Sequence, residues 1–515
     1  MAKPRISLVA LPPLNTRFPA LNIALLTGEL KQHGYPTKAF DLNIQAFEDS
    51  GAAGRFLWDF RHGYLWNEPD YFNREIYPKF LEPHIDRWLD AILEHKPDIV
   101  GFSVTPSELC YVLSKHIKAK SPGTKIIFGG PMCSHVMKVE RFFPNEWVDA
   151  VVSDEGEATL LDLVKTYEET GGFTAMAGTT IIVDDKPIFG GMREAIKDLD
   201  STAYPDFDDL NLSLYREPYD IQPSWELPIY TSRGCVGRCN FCMDYKMWSV
   251  YYRQKSPSRV ADEMTHLWKQ FGVRNFIVIE LVFNGHHGWI MKFAEEQKRR
   301  NAKFRFWSHG RMDGRLTPEL LRELKSAGFW HFMFGMESAS NKVLKLMRKG
   351  TTKEKALANL RDCADANIGA AINIIVGFPG ETFFDFLETL FFVVRHRKLI
   401  WGVPSITACQ ATPGTDLYEQ PEKFQIKVEK GVANGARDWV SFDGKNNPRE
   451  RKRRVKIMEF VFARILFRAQ EPDKQRHTYR WWRDALLGAA LVGIENFIIR
   501  IQNLSLPRPL VSKPE

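Results

Sequence analysis

The sequence predicts an α/β protein: an N-terminal doubly wound parallel sheet, then a partial (β/α)6 barrel of the TIM type, then a helical C-terminal region. Three observations carry this reading. Short apolar runs rich in β-branched residues alternate with amphipathic segments over residues 5–170, and the alternation resumes at residue 229. Glycine and proline recur just beyond those runs, where strands end. The 515 residues, 44% hydrophobic and 26% charged, are enough to bury several cores. Fibrous, collagenous and wholly disordered classes are excluded.

In the first series the strand-like runs are 6–11, 37–42, 98–105, 125–128 and 150–153, and the helix-like runs are 21–33, 84–93, 108–120 and 158–169. Apolar strands separated by amphipathic helices make a parallel sheet covered on both faces. Ligands of such sheets sit beyond the C-terminal strand ends. Here those ends are Pro12-Pro13-Leu14, Asp41-Leu42-Asn43, residues 103–107 with Thr105, Gly129-Gly130-Pro131 and Glu155-Gly156-Glu157. Taken singly, each glycine or proline ends a strand; their recurrence after successive strands predicts a binding crevice. Residues 171–227 form a connector, with a hairpin over 179–189 and a linker at Tyr204-Pro205 and the acidic run 206–209.

The second series has strand-like runs at 229–232, 275–279, 303–308, 331–335, 370–376 and 405–408. Helix-like runs lie between them at 257–271, 289–300, 318–327, 353–366 and 383–395. Six strand–helix units in a row predict a barrel or partial barrel with its chemistry at the C-terminal strand ends. The expected domains are 1–170, the connector 171–227, the barrel 228–420 and a basic helical region 421–515.

The net charge of +7 is uneven. Residues 445–515 hold 16 Lys/Arg against 7 Asp/Glu, leaving the rest of the chain at −2. That excludes a nucleic-acid binder throughout and predicts one local patch for an anionic partner or membrane surface. Segments 449–470 and 479–501 combine basic residues with apolar ones, including Trp481 and Trp482. They read as a helical cap on the barrel; interfacial membrane contact is the alternative. No signal-peptide layout opens the chain and no run reaches the roughly 18 apolar residues of a spanning helix. A reducing cytoplasm is the expected compartment.

Seven cysteines, an odd number with three inside eight residues, do not make a disulfide framework. The three are Cys235, Cys239 and Cys242, directly after the first strand of the second series. Thiolates suit zinc and iron–sulfur sites. Structural zinc wants four ligands in paired C-x2-C units, whereas here there are three at spacings of four and three. Three ligands on a four-iron cluster leave one iron open to a substrate or cofactor. Cys110, Cys133, Cys363 and Cys409 lie far off and read as small buried residues.

This C-x3-C-x2-C loop, with aromatic Phe241 before the third cysteine, resembles the signature of the radical S-adenosylmethionine superfamily. The resemblance implies a 4Fe–4S cluster whose open iron is chelated by S-adenosylmethionine, and a 5′-deoxyadenosyl radical that abstracts hydrogen from an unactivated position. It also implies an electron donor such as flavodoxin or ferredoxin. Later strand ends agree in order. Glu280 stands where related sequences usually place an acid for the methionyl amino group. Arg311, in His309-Gly-Arg311, is a candidate for the cofactor carboxylate, and a structural salt bridge is its alternative. Glu337, in Gly335-Met-Glu337-Ser338, resembles the ribose-side acid. Gly377, in a run continuing Phe-Pro-Gly380-Glu381, resembles the adenine-side glycine. The likeness covers about residues 228–420.

Joined to an N-terminal doubly wound domain, the chain resembles the cobalamin-dependent branch of that superfamily. The matching loops hold Thr105, Gly129, Gly130, Glu155, Gly156 and Glu157. There is no Asp-x-His-x-x-Gly element, so the resemblance implies cobalamin bound without a histidine from that motif; loss of cobalamin with retention of the fold is the alternative. The leading expectation is a C-methyltransferase acting on an unactivated carbon of a secondary metabolite, lipid or peptide. The second is an oxidative cyclase or rearranging enzyme with the same cofactors. The third, of another class, is a non-catalytic cobalamin-binding protein with a structural metal loop.

Overall fold

In the computed structural model, which describes residues 2–135, 142, 146–184, 186–218, 220, 222–247, 251–301, 303–431 and 435–465, the first apolar run forms β1 (Ile6–Ala10), buried along its whole length. The chain divides into two compact units. The first comprises Met1–Val236, Met243–Phe283 and Gly288–Trp307; the second comprises Gly237–Cys242, Asn284–His287 and Ser308–Glu515.

In the first unit β1 is joined by β2 (Thr37–Asp41), β3 (Ile99–Ser103), β4 (Lys125–Gly129), β5 (Ala150–Val152), β6 (Thr179–Val183) and β7 (Lys186–Phe189). The sheet order is β2-β1-β3-β4-β5-β6-β7. Its first five strands pair in parallel, and the β6–β7 hairpin extends the edge antiparallel. The strand order reverses between β1 and β3, the point at which open α/β sheets form a ligand crevice. The crossing helices are α1 (Leu21–Gln32), α2 (Leu42–Asp49), α3 (Ile85–Glu94), α4 (Leu109–Lys120) and α5 (Gly156–Thr170). In α3 the buried residues Ile85, Trp88, Leu89 and Ile92 follow i, i+3, i+4, i+7 spacing, a stripe aimed at the core.

Residues 51–84 hold short helical turns that the sequence reading left blank. A π-helical stretch, Phe72–Leu81, contains Pro78, so no 3.6-residue period marks it. Aromatic packing holds the segment instead. Trp58 lies edge-on to Phe47 at 5.6 Å and to Trp66 at 5.3 Å, and the Trp66 indole N–H donates to the Leu57 carbonyl. Burying one such ring contributes about 1.5–3 kcal/mol.

The same unit carries β8 (Glu226–Ile229), β9 (Ser232–Arg233), β10 (Arg253–Gln254) and β11 (Asn275–Val278). β8 pairs with β11 in parallel, whereas β9 pairs with β10 antiparallel. The run read as one strand at 229–232 is therefore two: β8 stops at Ile229, and the chain turns off into a separate ribbon. Helix α6 (Pro257–Phe271) has its ends written in sequence, with Ser256 accepting from the Arg259 N–H, Pro257 at the first helical position and left-handed Gly272 at the stop. Helix α7 (His287–Arg299) follows β11.

The division between the units falls within β12 (Arg305–Gly310). In the second unit β13 (Phe329–Glu337), β14 (Gly369–Val376) and β15 (Gly402–Ala408) pair in parallel. Helices α8 (Pro318–Ser326), α9 (Asn341–Leu346), α10 (Lys353–Asp365) and α11 (Phe383–Arg395) alternate with them, α9 being an addition to the predicted set. Helix α12 (Pro448–Ile465) packs on β15, β14 and α11. The expectations for 466–515, including Trp481 and Trp482, lie outside the described residues. Among the described residues no helix is long and apolar enough to cross a membrane.

Candidate active site

Cys235 follows β9 directly and is half-buried. The stem beneath it is fixed by hydroxyls: Thr231 donates to a Glu280 carboxylate oxygen at 2.6 Å, and Ser232 donates to the same oxygen. Glu280 is buried two residues past β11, so the acid predicted for an amino group stands at the root of the cysteine loop.

In the second unit Cys239 is buried and Cys242 half-buried, with the Cys242 N–H donating to the Cys239 carbonyl at 3.1 Å. Arg311 follows β12, and its guanidinium donates to Cys239 Sγ at 3.7 Å, to Asp313 at 3.1 Å and to the Lys349 carbonyl. Burial opposes its charge, but the Cys239 sulfur and the Asp313 carboxylate outweigh burial and hold its pKa up. Asn284 fixes the Arg311 backbone from both sides, accepting its N–H and donating to its carbonyl, each at 2.8 Å.

Glu337 ends β13 in a left-handed conformation, φ +66°. Its carboxylate pairs with the buried Lys349 ammonium at 2.8 Å. Burial is the largest influence on Lys349 and lowers its pKa, but the Glu337 carboxylate and the Cys239 sulfur together raise it more, so the amine stays charged. Lys349 also lies 5.8 Å from the centre of the Phe241 ring, which meets Phe378 edge-on at 6.4 Å. A Cβ at Gly335 would stand 2.4 Å from a Glu337 oxygen and 2.9 Å from Lys349 Nζ, so a side chain there would displace the ends of that ion pair.

Gly377, just past β14, has φ +77° and donates its N–H to Glu381 at 3.0 Å. The place its Cβ would take is filled by the Arg451 stem, 2.4 Å away. Arg451 is 1% exposed, stacks 3.8 Å over Trp439 and donates to Asn446 and the Trp439 carbonyl. Burial pushes the Glu381 carboxyl up to about 7, although Arg454 donates to it at 2.8 Å.

The strand ends of the first sheet are built differently. Thr105 and Ser107 both donate to the Pro12 carbonyl, tying together the two loops at the strand-order reversal. Gly129 ends β4, and Gly130 has φ +94° with Ser103 Oγ 3.0 Å from where a Cβ would be. Gly156 opens α5. Glu155 and Glu157 turn their carboxylates to Arg253 and Arg233. For Glu157, burial opposes ionisation, and the Arg233 guanidinium overcomes it and holds the carboxyl below the usual range.

These residues fit the implied groups. Soft thiols beside a guanidinium suit an anionic iron–sulfur cluster. Among the described residues no three Cys, His, Asp or Glu side chains gather as ligands of a single ion. A loop edge of hydroxyls and glycines suits close approach of a large macrocycle. Cys110, Cys133, Cys363 and Cys409 are buried, and burial pushes the Cys363 and Cys409 thiols up to about 12, which makes them inert. His135 pairs with Asp154 at 2.8 Å. Sequence reasoning missed Lys349, Arg233, Arg253, Asn446 and Arg451. The signals for Arg233 and Lys349 were present: one lies two residues before Cys235, the other twelve after Glu337.

Comparison with known proteins agrees with this geometry. Residues 229–393 match the radical SAM superfamily. That segment is a radical S-adenosylmethionine domain, and such a domain implies a 4Fe–4S cluster and S-adenosylmethionine. An uncharacterised methyltransferase of Pyrococcus horikoshii is 25% identical over 64% of this chain and 70% of its own length. The anaerobic magnesium-protoporphyrin IX monomethyl ester cyclase of Cereibacter sphaeroides is 28% identical over 58% of this chain, a match spanning only 49% of the cyclase. Among solved structures, the cobalamin-dependent S-adenosylmethionine radical enzyme OxsB, with aqua-cobalamin and S-adenosylmethionine bound, superposes with TM-score 0.67 at 18% identity, covering 98% of this chain and 74% of that one. The radical S-adenosylmethionine methyltransferase TsrM from Kitasatospora setae, with cobalamin and a [4Fe-4S] cluster bound, gives 0.59 at 17% identity, covering 88% and 85%. The chain has the fold of these enzymes.

Proposed function

We propose that this chain, whose residues 229–393 form a radical S-adenosylmethionine domain, is a cobalamin-dependent enzyme that transfers a methyl group to an unactivated carbon of a small molecule. In this reading residues 1–170 hold cobalamin, 171–227 connect, 228–420 carry the radical chemistry and 421–515 cap it. The observation that carries it is a C-x3-C-x2-C loop with Arg311 on Cys239, in a chain that also has a 2-1-3-4-5 parallel sheet with a glycine and hydroxyl edge.

When bound, the cluster and S-adenosylmethionine supply a carbon-centred radical, and cobalamin supplies a methyl carrier. The chain's own residues bind and orient. Cys235, Cys239 and Cys242 hold iron. Arg311 offers a fork to the cofactor carboxylate, and Glu280 accepts from the methionyl amino group. Glu337, paired with Lys349, faces the ribose hydroxyls, and Gly377 and Phe241 border the adenine side. Thr105, Gly129, Gly130 and Gly156 present backbone and small groups to the corrin, with Glu155 and Glu157 supporting that loop. An acidic one-electron carrier such as flavodoxin or ferredoxin reduces the cluster. The compartment is cytoplasmic, with peripheral membrane contact through the basic C-terminal region as the arrangement for a lipid-like substrate.

Product stoichiometry tests the reading. A methylase consumes one S-adenosylmethionine as donor and another as radical source, so product, S-adenosylhomocysteine and 5′-deoxyadenosine appear in equal amounts. The likeness to the cyclase favours a second reading, oxidative ring closure. That reaction forms 5′-deoxyadenosine without matching S-adenosylhomocysteine, and this result would replace the methylase.

A further inference from the structure

The cysteines lie in the chain between the two strands of a short ribbon. β9 and β10 pair antiparallel, with Arg233 directly opposite Arg253. Each strand thus places one arginine at the root of the loop that bears Cys235, Cys239 and Cys242. Arg233 is buried and Arg253 nearly so, at 8% and 11% side-chain exposure. Both are met by carboxylates from the first turn of α5, two residues apart. Arg233 binds Glu157 through both terminal nitrogens, one of them at 3.3 Å, and lies 3.5 Å from Glu155. Arg253 binds Glu155 at 2.6 and 3.2 Å and also donates to the Ile196 carbonyl. Glu155 in turn accepts the Ile196 N–H at 2.7 Å. The Tyr230 ring backs Arg233 at 4.7 Å.

We propose that this double clamp positions the cysteine loop: Glu157 acts through Arg233, and Glu155 through Arg253, to set the place of Cys235 and hence of the cluster. The carboxylates come from the strand-end loop Glu155-Gly156-Glu157 of the first sheet, so the element that borders the corrin crevice also holds the root of the iron-binding loop. Apolar side chains of equal volume would stabilise the contact as well as buried ion pairs do. What the forked pairs add is direction, since two parallel N–H donors fix both distance and angle. The carboxylates also sit at a helix N-terminus, where the dipole favours their charge. A hydrophobic contact would let the ribbon slide; the paired forks do not. Glu155 and Glu157 are positioning residues in this account, and they touch no reacting atom.

The inference rests on assigning the cluster to the three cysteines. The test uses the full chain, reconstituted anaerobically with iron and sulfide, in wild type and in Arg233→Lys, Glu157→Gln and Glu157→Asp. Iron content, the electron paramagnetic resonance spectrum of the reduced cluster, and kcat and KM for S-adenosylmethionine cleavage are measured. Iron should be retained, the g values should shift, and kcat should fall by about ten- to a hundredfold, as small misplacements of reacting groups do. KM should stay within about twofold, the split expected when geometry rather than binding is lost. Glu157→Asp, which keeps the charge and shortens the reach, should fall between wild type and Glu157→Gln, and it carries the same readings where Glu157→Gln does not fold. Lys197→Gln, at an exposed pair with Glu194, should change nothing. Unchanged g values and kcat in both Arg233→Lys and the folded Glu157 variants would overturn the clamp alone. A wild type that binds no iron would overturn the cluster assignment and the clamp with it.

Discussion

The strand ends of the two strand–helix series use opposite chemistries. Those of the first sheet offer mainly backbone and small groups, with Thr105 and Ser107 on the Pro12 carbonyl, the Gly129-Gly130 turn and Gly156, and the charge there is confined to Glu155 and Glu157, which are turned to Arg253 and Arg233. Those of the second series bring buried charge: Arg311 with Asp313, Glu337 with Lys349, Glu381 with Arg454. The difference matches the groups that each is proposed to hold. A large macrocycle needs room and weak contacts spread over its face, whereas a zwitterionic cofactor needs a few fixed charges of each sign. A substitution should therefore act through sterics on one side and through charge on the other.

The largest effect should come from the cysteines. The triple variant Cys235→Ala/Cys239→Ala/Cys242→Ala should lose the whole cluster, from about four irons per chain, and with it all 5′-deoxyadenosine formation, while cobalamin binding to the first sheet survives. Iron analysis and corrin absorbance on one sample decide this. Corrin lost together with iron would break the separation of the two regions.

Buried charge also predicts a pH dependence. Glu381 has its pKa raised by burial from 4.5 to about 7. A carboxyl raised in the folded state contributes stability that is complete below its unfolded pKa and is lost as pH rises through its folded value. Between pH 4 and pH 8 the wild type should therefore lose about 3 kcal/mol relative to Glu381→Gln, at 1.36 kcal/mol per pKa unit. Urea unfolding of both proteins at the two pH values measures the change, and other groups cancel in the difference. A constant gap would show that Glu381 ionises normally.

Arg311→Met and Glu337→Gln each remove one charge-assisted contact, worth about 1.5–3 kcal/mol. S-adenosylmethionine affinity should weaken about ten- to a hundredfold, with the iron retained. Isothermal titration against the reconstituted proteins reads the loss, and unchanged affinity in both would make these residues structural.

The two regions were also unequally legible. Amphipathic helices such as α3 and capped ones such as α6 announce themselves by period and by Ser256, Pro257 and Gly272. The cysteine spacing, Arg311 and Glu337 could be singled out as candidates because they follow one another at strand ends in the order of a known family's motifs. Pairing across sequence distance could not. Nothing local says that Arg233 meets Glu157, 76 residues away, or that Arg451 fills the space beside Gly377. The 51–84 segment was hidden for another reason, since its 3-10 and π turns have no 3.6-residue stripe and its order comes from Trp58 and Trp66 packing.

The smallest effect separates two adjacent glycines of the first sheet. Gly130 has φ +94° and ψ −177°, a region that only glycine occupies without strain, and a Cβ there would press on Ser103 Oγ at 3.0 Å. Gly130→Ala should cost about 1–3 kcal/mol of stability and weaken corrin binding by displacing the turn. Gly129 is not left-handed, and a Cβ there would meet nothing closer than the Val152 carbonyl oxygen at 3.7 Å, an ordinary contact. Gly129→Ala should therefore leave the melting temperature nearly unchanged. Neither change alters a charge, so S-adenosylmethionine affinity and iron content should match wild type in both. Thermal unfolding gives the first comparison and corrin absorbance after reconstitution the second. If Gly129→Ala proves the more damaging, the turn is not set by Gly130, and the steric account of this edge fails while the charge account of the other stands.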